Sequence, residues 1–150
     1  MSLTIREAKT LDRAGEIMAK YMKRDQGEFM SDPSKVKQML RYRLQHEERE
    51  VFCVMYLNNQ HQLIEFEKLF FGTIDGASVH PREVVKNALM HNASALVFAH
   101  NHPSGVETAS KADKRITDAL VAALKLVDIR VLDHLIVGNE IESFAERGYL

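Results

Sequence analysis

At 150 residues, 45% apolar and 27% charged, the chain has the size and balance of one domain with a single real core. The net charge of −1 lends nothing to a fold that grips a phosphate backbone through a basic surface, and the lone Cys53 excludes internal disulfides and a cysteine-rich zinc cluster. The N-terminus has no apolar signal-peptide core and no apolar run nears the roughly 20 residues of a membrane span, so a cytoplasmic place without membrane contact is expected.

Ile5, Ala8, Leu11, Ala14, Ile17, Met18 and Met22 recur at spacings of three and four, which predicts an amphipathic helix that stops in the polar Lys23–Gly27. Ser31 or Asp32 can cap a second helix opened by Pro33, with Val36, Met39, Leu40 and Leu44 inward. The period then changes. Val51–Leu57 reads as a strand buried on both faces, with Cys53 an inert thiol inside it. Asn58-Asn59 supplies a turn into a longer strand, Leu63–Ile74, that is expected to complete a hairpin. After Asp75-Gly76, Pro81 starts a helix to about His91 with Val84, Val85, Ala88 and Leu89 inward. Ala95–Ala99 is a core strand, and Ser110–Val127 a helix burying Ile116, Leu120, Ala123, Leu124 and Val127. Ile129–Val137 and Ile141–Phe144 close the chain as strands. The order predicts a mixed α/β domain, a mixed sheet flanked by helices.

The chemistry lies at the end of Ala95–Ala99. His100 and His102 sit two apart, and side chains two apart on a strand share a face, so both imidazoles can reach one ion. Ten residues separate His102 from Asp113, which falls in the first turn of the next helix, and Pro103-Ser104-Gly105 turns the chain back to bring it near. Two histidines and a carboxylate leave the fourth tetrahedral position of a zinc ion open, the pattern of catalytic sites. There, bound water loses a proton near neutral pH. Taken singly, each part has a plainer reading: a hydrogen-bonded histidine pair, and a Ser110–Asp113 capping box. The combination at fixed offsets favours one zinc (Zn2+) per chain.

His100-x-His102, seven residues, Ser110, two residues, Asp113 resembles the JAMM (MPN-plus) metalloprotease pattern. More narrowly, His80-Pro81-Arg82-Glu83-Val84, His100-Asn101-His102-Pro103-Ser104-Gly105 and Asp133-His134-Leu135-Ile136 resemble RadC-like proteins of that superfamily over roughly Asp32–Leu150. The resemblance implies a JAMM/MPN-like curved mixed sheet with zinc at a strand end, in a single domain over residues 1–150 with 1–30 as a helical extension. It also implies a metallopeptidase or isopeptidase attacking an amide bond through activated water. Full-length RadC proteins usually carry a helix-hairpin-helix segment before this domain, so the chain is expected to be a short form without it. A proline often precedes the serine, where this chain has Ala109, which implies a looser loop.

The same resemblance calls for a glutamate that moves the proton, upstream at the start of a strand. Glu50, just before Val51, is the choice, although Glu47, Glu48 and Glu50 also read as a solvated helix end. Glu65 and Glu67 compete, as the wet face of a strand. Ser110 would steady the oxyanion. His134 beside Asp133 would orient the site as a pair, or is simply a core histidine. Arg82 is available to a substrate carboxylate or phosphate, or is structural. The expected partner is a peptide or isopeptide-like substrate. Two other readings stand beside it: a DNA-repair or mobile-element accessory module that binds nucleic acid or a replication protein with structural zinc, and a scaffold with an idle site.

Overall fold

Two runs of seven buried residues, Val51–Leu57 and Ala95–Asn101, form the centre of a five-stranded sheet. The computed structural model describes residues 2–24, 27–75 and 78–150. Within them run α1 (Ile5–Arg24), a 3-10 turn (Phe29–Ser31), α2 (Pro33–Leu44), β1 (Val51–Leu57), β2 (Leu63–Phe71) and α3 (Pro81–Met90). There follow β3 (Ala95–Asn101), α4 (Lys111–Lys125), β4 (Arg130–Val137), β5 (Ile141–Ser143) and α5 (Phe144–Arg147). The strand order is β2-β1-β3-β4-β5, with β3 and β4 parallel and the other pairs antiparallel. The parallel pair follows from α4, since a helical crossover returns the chain in the same direction. The mixed sheet expected from the sequence is present.

β1 and β3 are apolar throughout because both faces of the sheet are covered. Cys53, Met55, Val97 and Ala99 pack beneath Val36, Met39, Leu40 and Leu44 of α2 and Ala19 and Met22 of α1. On the other face, Phe52, Val54, Leu96 and Phe98 meet Val84 and Ala88 of α3 and Ile116, Leu120 and Leu124 of α4. The α2 stripe and its start are as expected: the Asp32 carboxylate accepts from Lys35 N, and Pro33 is the first helical residue. The Asn58 carboxamide accepts from Gln60 N and Gln62 N, which shapes the β1–β2 hairpin.

Several boundaries and faces differ from the sequence pattern. In α1, Met22 is buried and Met18 packs against the core as expected, but Ile5 is 78% and Ile17 43% exposed, and Gly15 and Ala19 are buried in their place. The cause is close packing, because a Cβ on Gly15 would lie 2.7 Å from Arg43 Cδ of α2. β2 ends at Phe71, since Gly72 takes a φ of +109° and turns the chain, leaving Ile74 buried beyond the strand. Leu89 and Val127 point outward at helix ends, Val85 and Ala123 are half-buried, and the left-handed Asp128 turns the chain beyond α4. Phe144 starts a helical turn capped by Ser143 instead of finishing a strand. Asp25 and Gln26 of the polar stop, and Gly76 of the Asp75-Gly76 break, lie outside the described residues. Among the described residues no helix is long and apolar enough to cross a membrane.

Candidate metal centre

β3 delivers His100 at the middle of the sheet, and the chain beyond it is held by backbone contacts to the β4–β5 turn. His102 N donates to Val137 O at 2.9 Å, and Asn139 N donates to Gly105 O at 2.7 Å. The His102–Gly105 turn closes through Gly105 N to His102 O at 2.9 Å, with Gly105 at a φ of +86° that favours glycine. Gly138 lets these segments touch, since a Cβ there would meet Gly105 O at 2.6 Å. Ala109 is not loosely held: its N–H donates to the buried Glu142 carboxylate at 2.7 Å, a bond proline could not make. Ser110 then caps α4, its Oγ accepting from Asp113 N at 3.0 Å while Asp113 Oδ2 accepts from Ser110 N at 2.8 Å.

The cap aims Asp113 at both histidines. His100 Nε2 lies 3.2 Å from Oδ1, His102 Nε2 lies 3.1 Å from Oδ2, and the two Nε2 atoms are 3.1 Å apart. A tetrahedral zinc with bonds of 2.0–2.1 Å holds its donors about 3.3 Å from one another. The three groups thus stand near ligand spacing, with His100 and Asp113 buried and His102 half-buried, and the set fits a zinc ion open on one side. Burial opposes charge on Asp113, but hydrogen bonds from His100 and His102 outweigh it and hold the carboxyl well below the usual carboxylate range. The Asp113 bond raises His102, against partial burial, and the charge of Glu50 adds to the rise.

Glu50 is the nearer of the glutamates considered. β1 and β3 pair with Phe52 opposite His100, Glu50 lies two residues before Phe52, and its charge acts on His102. Its Oε2 accepts from Ile74 N at 2.7 Å and its carbonyl from Gly72 N at 2.8 Å. Glu65 stands opposite Tyr56, which pairs with Leu96, four residues or about 13 Å along β3 from His100. It pairs with Lys23 at 3.0 Å, and Glu67 accepts from Tyr56 Oη at 2.6 Å. Both candidates are engaged elsewhere.

His134 stands behind His100, its Nε2 2.8 Å from His100 Nδ1, walled by the rings of Phe52, Phe98 and Phe144. Burial above all, with the neighbouring His100, pushes it well below the ordinary histidine range, so the ring is neutral. The pairing with Asp133 expected from the sequence is absent from the rings: Asp133 accepts from His134 N, Ser143 Oγ and Ala145 N, and so anchors the β5–α5 junction. They part because neighbouring side chains on a strand face opposite ways. Arg82 is exposed in the first turn of α3, outside this hydrogen-bond network. Two residues escaped the sequence reading. Thr117 is buried, with Oγ1 2.7 Å from His134 Nδ1 and 2.7 Å from Asp113 O. Its signal is a polar residue one helical turn after Asp113, on the inward face. Asn101 is buried on the opposite face to the histidines and is tied to Arg49 and Val51.

A histidine pair at the end of a central strand, met by a carboxylate from the capped turn of the next helix, forms a group that could hold one metal ion, in a mixed sheet consistent with a JAB/MPN-like fold. Residues 30–149 match the RadC-like JAB domain, and the chain belongs to that family. It is 61% identical over 125 residues to a UPF0758 protein of Cellvibrio japonicus (strain Ueda107), covering 83% of this chain and 56% of the relative. A UPF0758 protein of Nitrosococcus oceani is 58% identical over 125 residues, with the same shares of 83% and 56%. One from Vibrio cholerae serotype O1 is 52% identical over 144 residues, 96% of this chain and 90% of the relative. The chain thus spans little more than half the length of two of these relatives and nearly all of the third.

Proposed function

We propose that the protein is a zinc-dependent hydrolase of amide bonds, acting on a peptide or isopeptide-like substrate. The observation that carries this is the convergence of His100 Nε2, His102 Nε2 and the Asp113 carboxylate at 3.1–3.2 Å. When bound there, zinc supplies a Lewis acid that polarises a carbonyl oxygen and lowers the pKa of water to about 7.

The chain's own residues divide the remaining work. Glu50 is anchored through Oε2 on Ile74 N, which leaves Oε1 to take a proton from the attacking water and return it to the departing amine nitrogen. Ser110 Oγ accepts from Asp113 N, so its hydroxyl proton stays available to the developing oxyanion. Ser110 is exposed while Asp113 is buried, which supports a donor open to substrate.

The reading is tested by zinc content and turnover together. Purified protein should carry about one zinc per chain, the His100→Ala/His102→Ala double variant none, and a library of amide and isopeptide substrates should yield a product that Glu50→Gln abolishes. A wild-type protein without zinc, or a double variant with unchanged zinc content, sinks it.

A further inference from the structure

The rear nitrogen of each histidine decides whether its front nitrogen can ligate a cation. His102 is simple. Its Nδ1 lies 2.7 Å from the Val106 carbonyl oxygen, which only accepts, so Nδ1 carries a proton and Nε2, 3.1 Å from Asp113 Oδ2, is the nitrogen left for a cation. His100 has neither carbonyl nor carboxylate behind it; its Nδ1 meets another imidazole, His134 Nε2, at 2.8 Å. Two imidazoles fix nothing between themselves, since either can donate.

The direction is set one step further back. Thr117 Oγ1 is 2.7 Å from Asp113 O and 2.7 Å from His134 Nδ1. A carbonyl only accepts and a hydroxyl has one proton, so Thr117 donates to Asp113 O and accepts from His134 Nδ1. His134 then offers its lone pair at Nε2, and His100 donates from Nδ1. The reverse order would leave two oxygen lone pairs facing each other at 2.7 Å and put a proton on His100 Nε2. His100, Thr117 and His134 are all 0% exposed, so no bulk water substitutes for a missing partner.

We infer that Thr117 is a positioning residue that acts through His134 to hold a proton on His100 Nδ1, so that Nε2, which faces Asp113, is the nitrogen left to bind a transition-metal cation such as zinc. One turn of α4 thus supplies the Asp113 carboxylate and, four residues on, sets the tautomer of the histidine beside it. The affinity part of this inference rests on the metal reading above; the tautomer part does not.

Thr117→Val, which keeps the shape and removes the hydroxyl, is compared with Thr117→Ser, which keeps the hydroxyl. Nitrogen-15 long-range correlation spectra of the zinc-free proteins report the protonated nitrogen of His100, and chelator competition reports zinc affinity. Wild type and Thr117→Ser should carry the His100 proton at Nδ1. Thr117→Val should show mixed tautomers and bind zinc about 10- to 100-fold more weakly. A His100 Nδ1 without a proton in the wild type, or a Thr117→Val protein with unchanged Nδ1 protonation and affinity, overturns the inference. Wild-type protein that takes no zinc overturns the metal reading instead, and the wild-type nitrogen shifts, which need no variant, still decide the relay.

Discussion

Asn101 and Val51 are joined where the β1–β3 register passes beyond Phe52 and His100: Asn101 Oδ1 accepts the Val51 N–H at 2.7 Å. The same carboxamide donates to Arg49 O at 3.0 Å, so it brackets Glu50 from the residue before and the residue after. Asn101 lies between the two histidines in sequence and faces away from them. Its side chain couples the segment carrying the glutamate to the strand carrying His100.

Replacing Asn101 by Ala should therefore separate two functions of the site. The buried Val51 N–H loses its partner, which costs about 1–3 kcal/mol of stability. Zinc content should stay at one per chain, because no donor is removed. Turnover should fall on the order of 100-fold, the scale of a misplacement of about 1 Å at a reacting group. Urea unfolding, metal analysis and kcat measured on the same preparation check this. Wild-type turnover in Asn101→Ala would show that Ile74 and Gly72 alone suffice to hold Glu50.

Ser110→Ala distinguishes capping from chemistry. Loss of the cap costs about 1 kcal/mol of stability, whereas loss of an oxyanion donor raises the barrier by about 2.7–4 kcal/mol. Activity should fall by at least a hundredfold while the melting temperature moves by a few degrees. Equal losses in both would assign Ser110 to the helix alone.

The sequence made the central architecture legible because β1, β3 and the α2 stripe are specified by patterns of burial. His100, His102 and Asp113 were legible because strand alternation and a helix cap are local geometry. What stayed hidden depends on contacts distant in sequence. The burial of Gly15 in α1 is set by Arg43 lying against it, and the Asp133–His134 pair comes apart once β5 and α5 claim the carboxylate. Thr117 matters through His134 on β4, and Asn101, although inside the His100–Gly105 motif, through Arg49 and Val51, partners distant in sequence.

Stability at high pH should fall steeply through two buried groups. Burial pushes the Cys53 thiol from 9.0 to about 12, against the pull of Lys68 and Arg43, and burial with the Glu67 acceptor raises Tyr56 as well. Both folded pKa values lie above the unfolded ones, so the stabilisation is complete below pH 9 and is lost as pH rises toward 12. A shift of three units corresponds to about 4 kcal/mol for Cys53. Chemical unfolding at a series of alkaline pH values should show Cys53→Ala with a flatter profile than wild type. The folded wild type should also resist thiol alkylation at neutral pH; rapid labelling would contradict the buried placement.

Gly138 gives the sharpest test of how the loop is held. A methyl group there would stand 2.6 Å from Gly105 O, 2.8 Å from Glu107 N and 3.0 Å from Glu107 Cα, all backbone. None of these can yield without moving the turn whose Gly105 N–H closes on His102 O and whose Val106 O receives His102 Nδ1. Gly138→Ala should thus displace His102 while leaving His100, which is paired in β3, and Asp113, which is capped, where they are. The strain costs about 1–3 kcal/mol in the zinc-free protein. The more specific sign is linkage: zinc at about 1,000 times its Kd stabilises a folded site by about 4 kcal/mol. That increment, read as the difference in unfolding free energy with and without the same zinc concentration, should shrink by about 1.4 kcal/mol for each tenfold loss of affinity. An undiminished increment in Gly138→Ala would show that the turn can shift without carrying His102 with it.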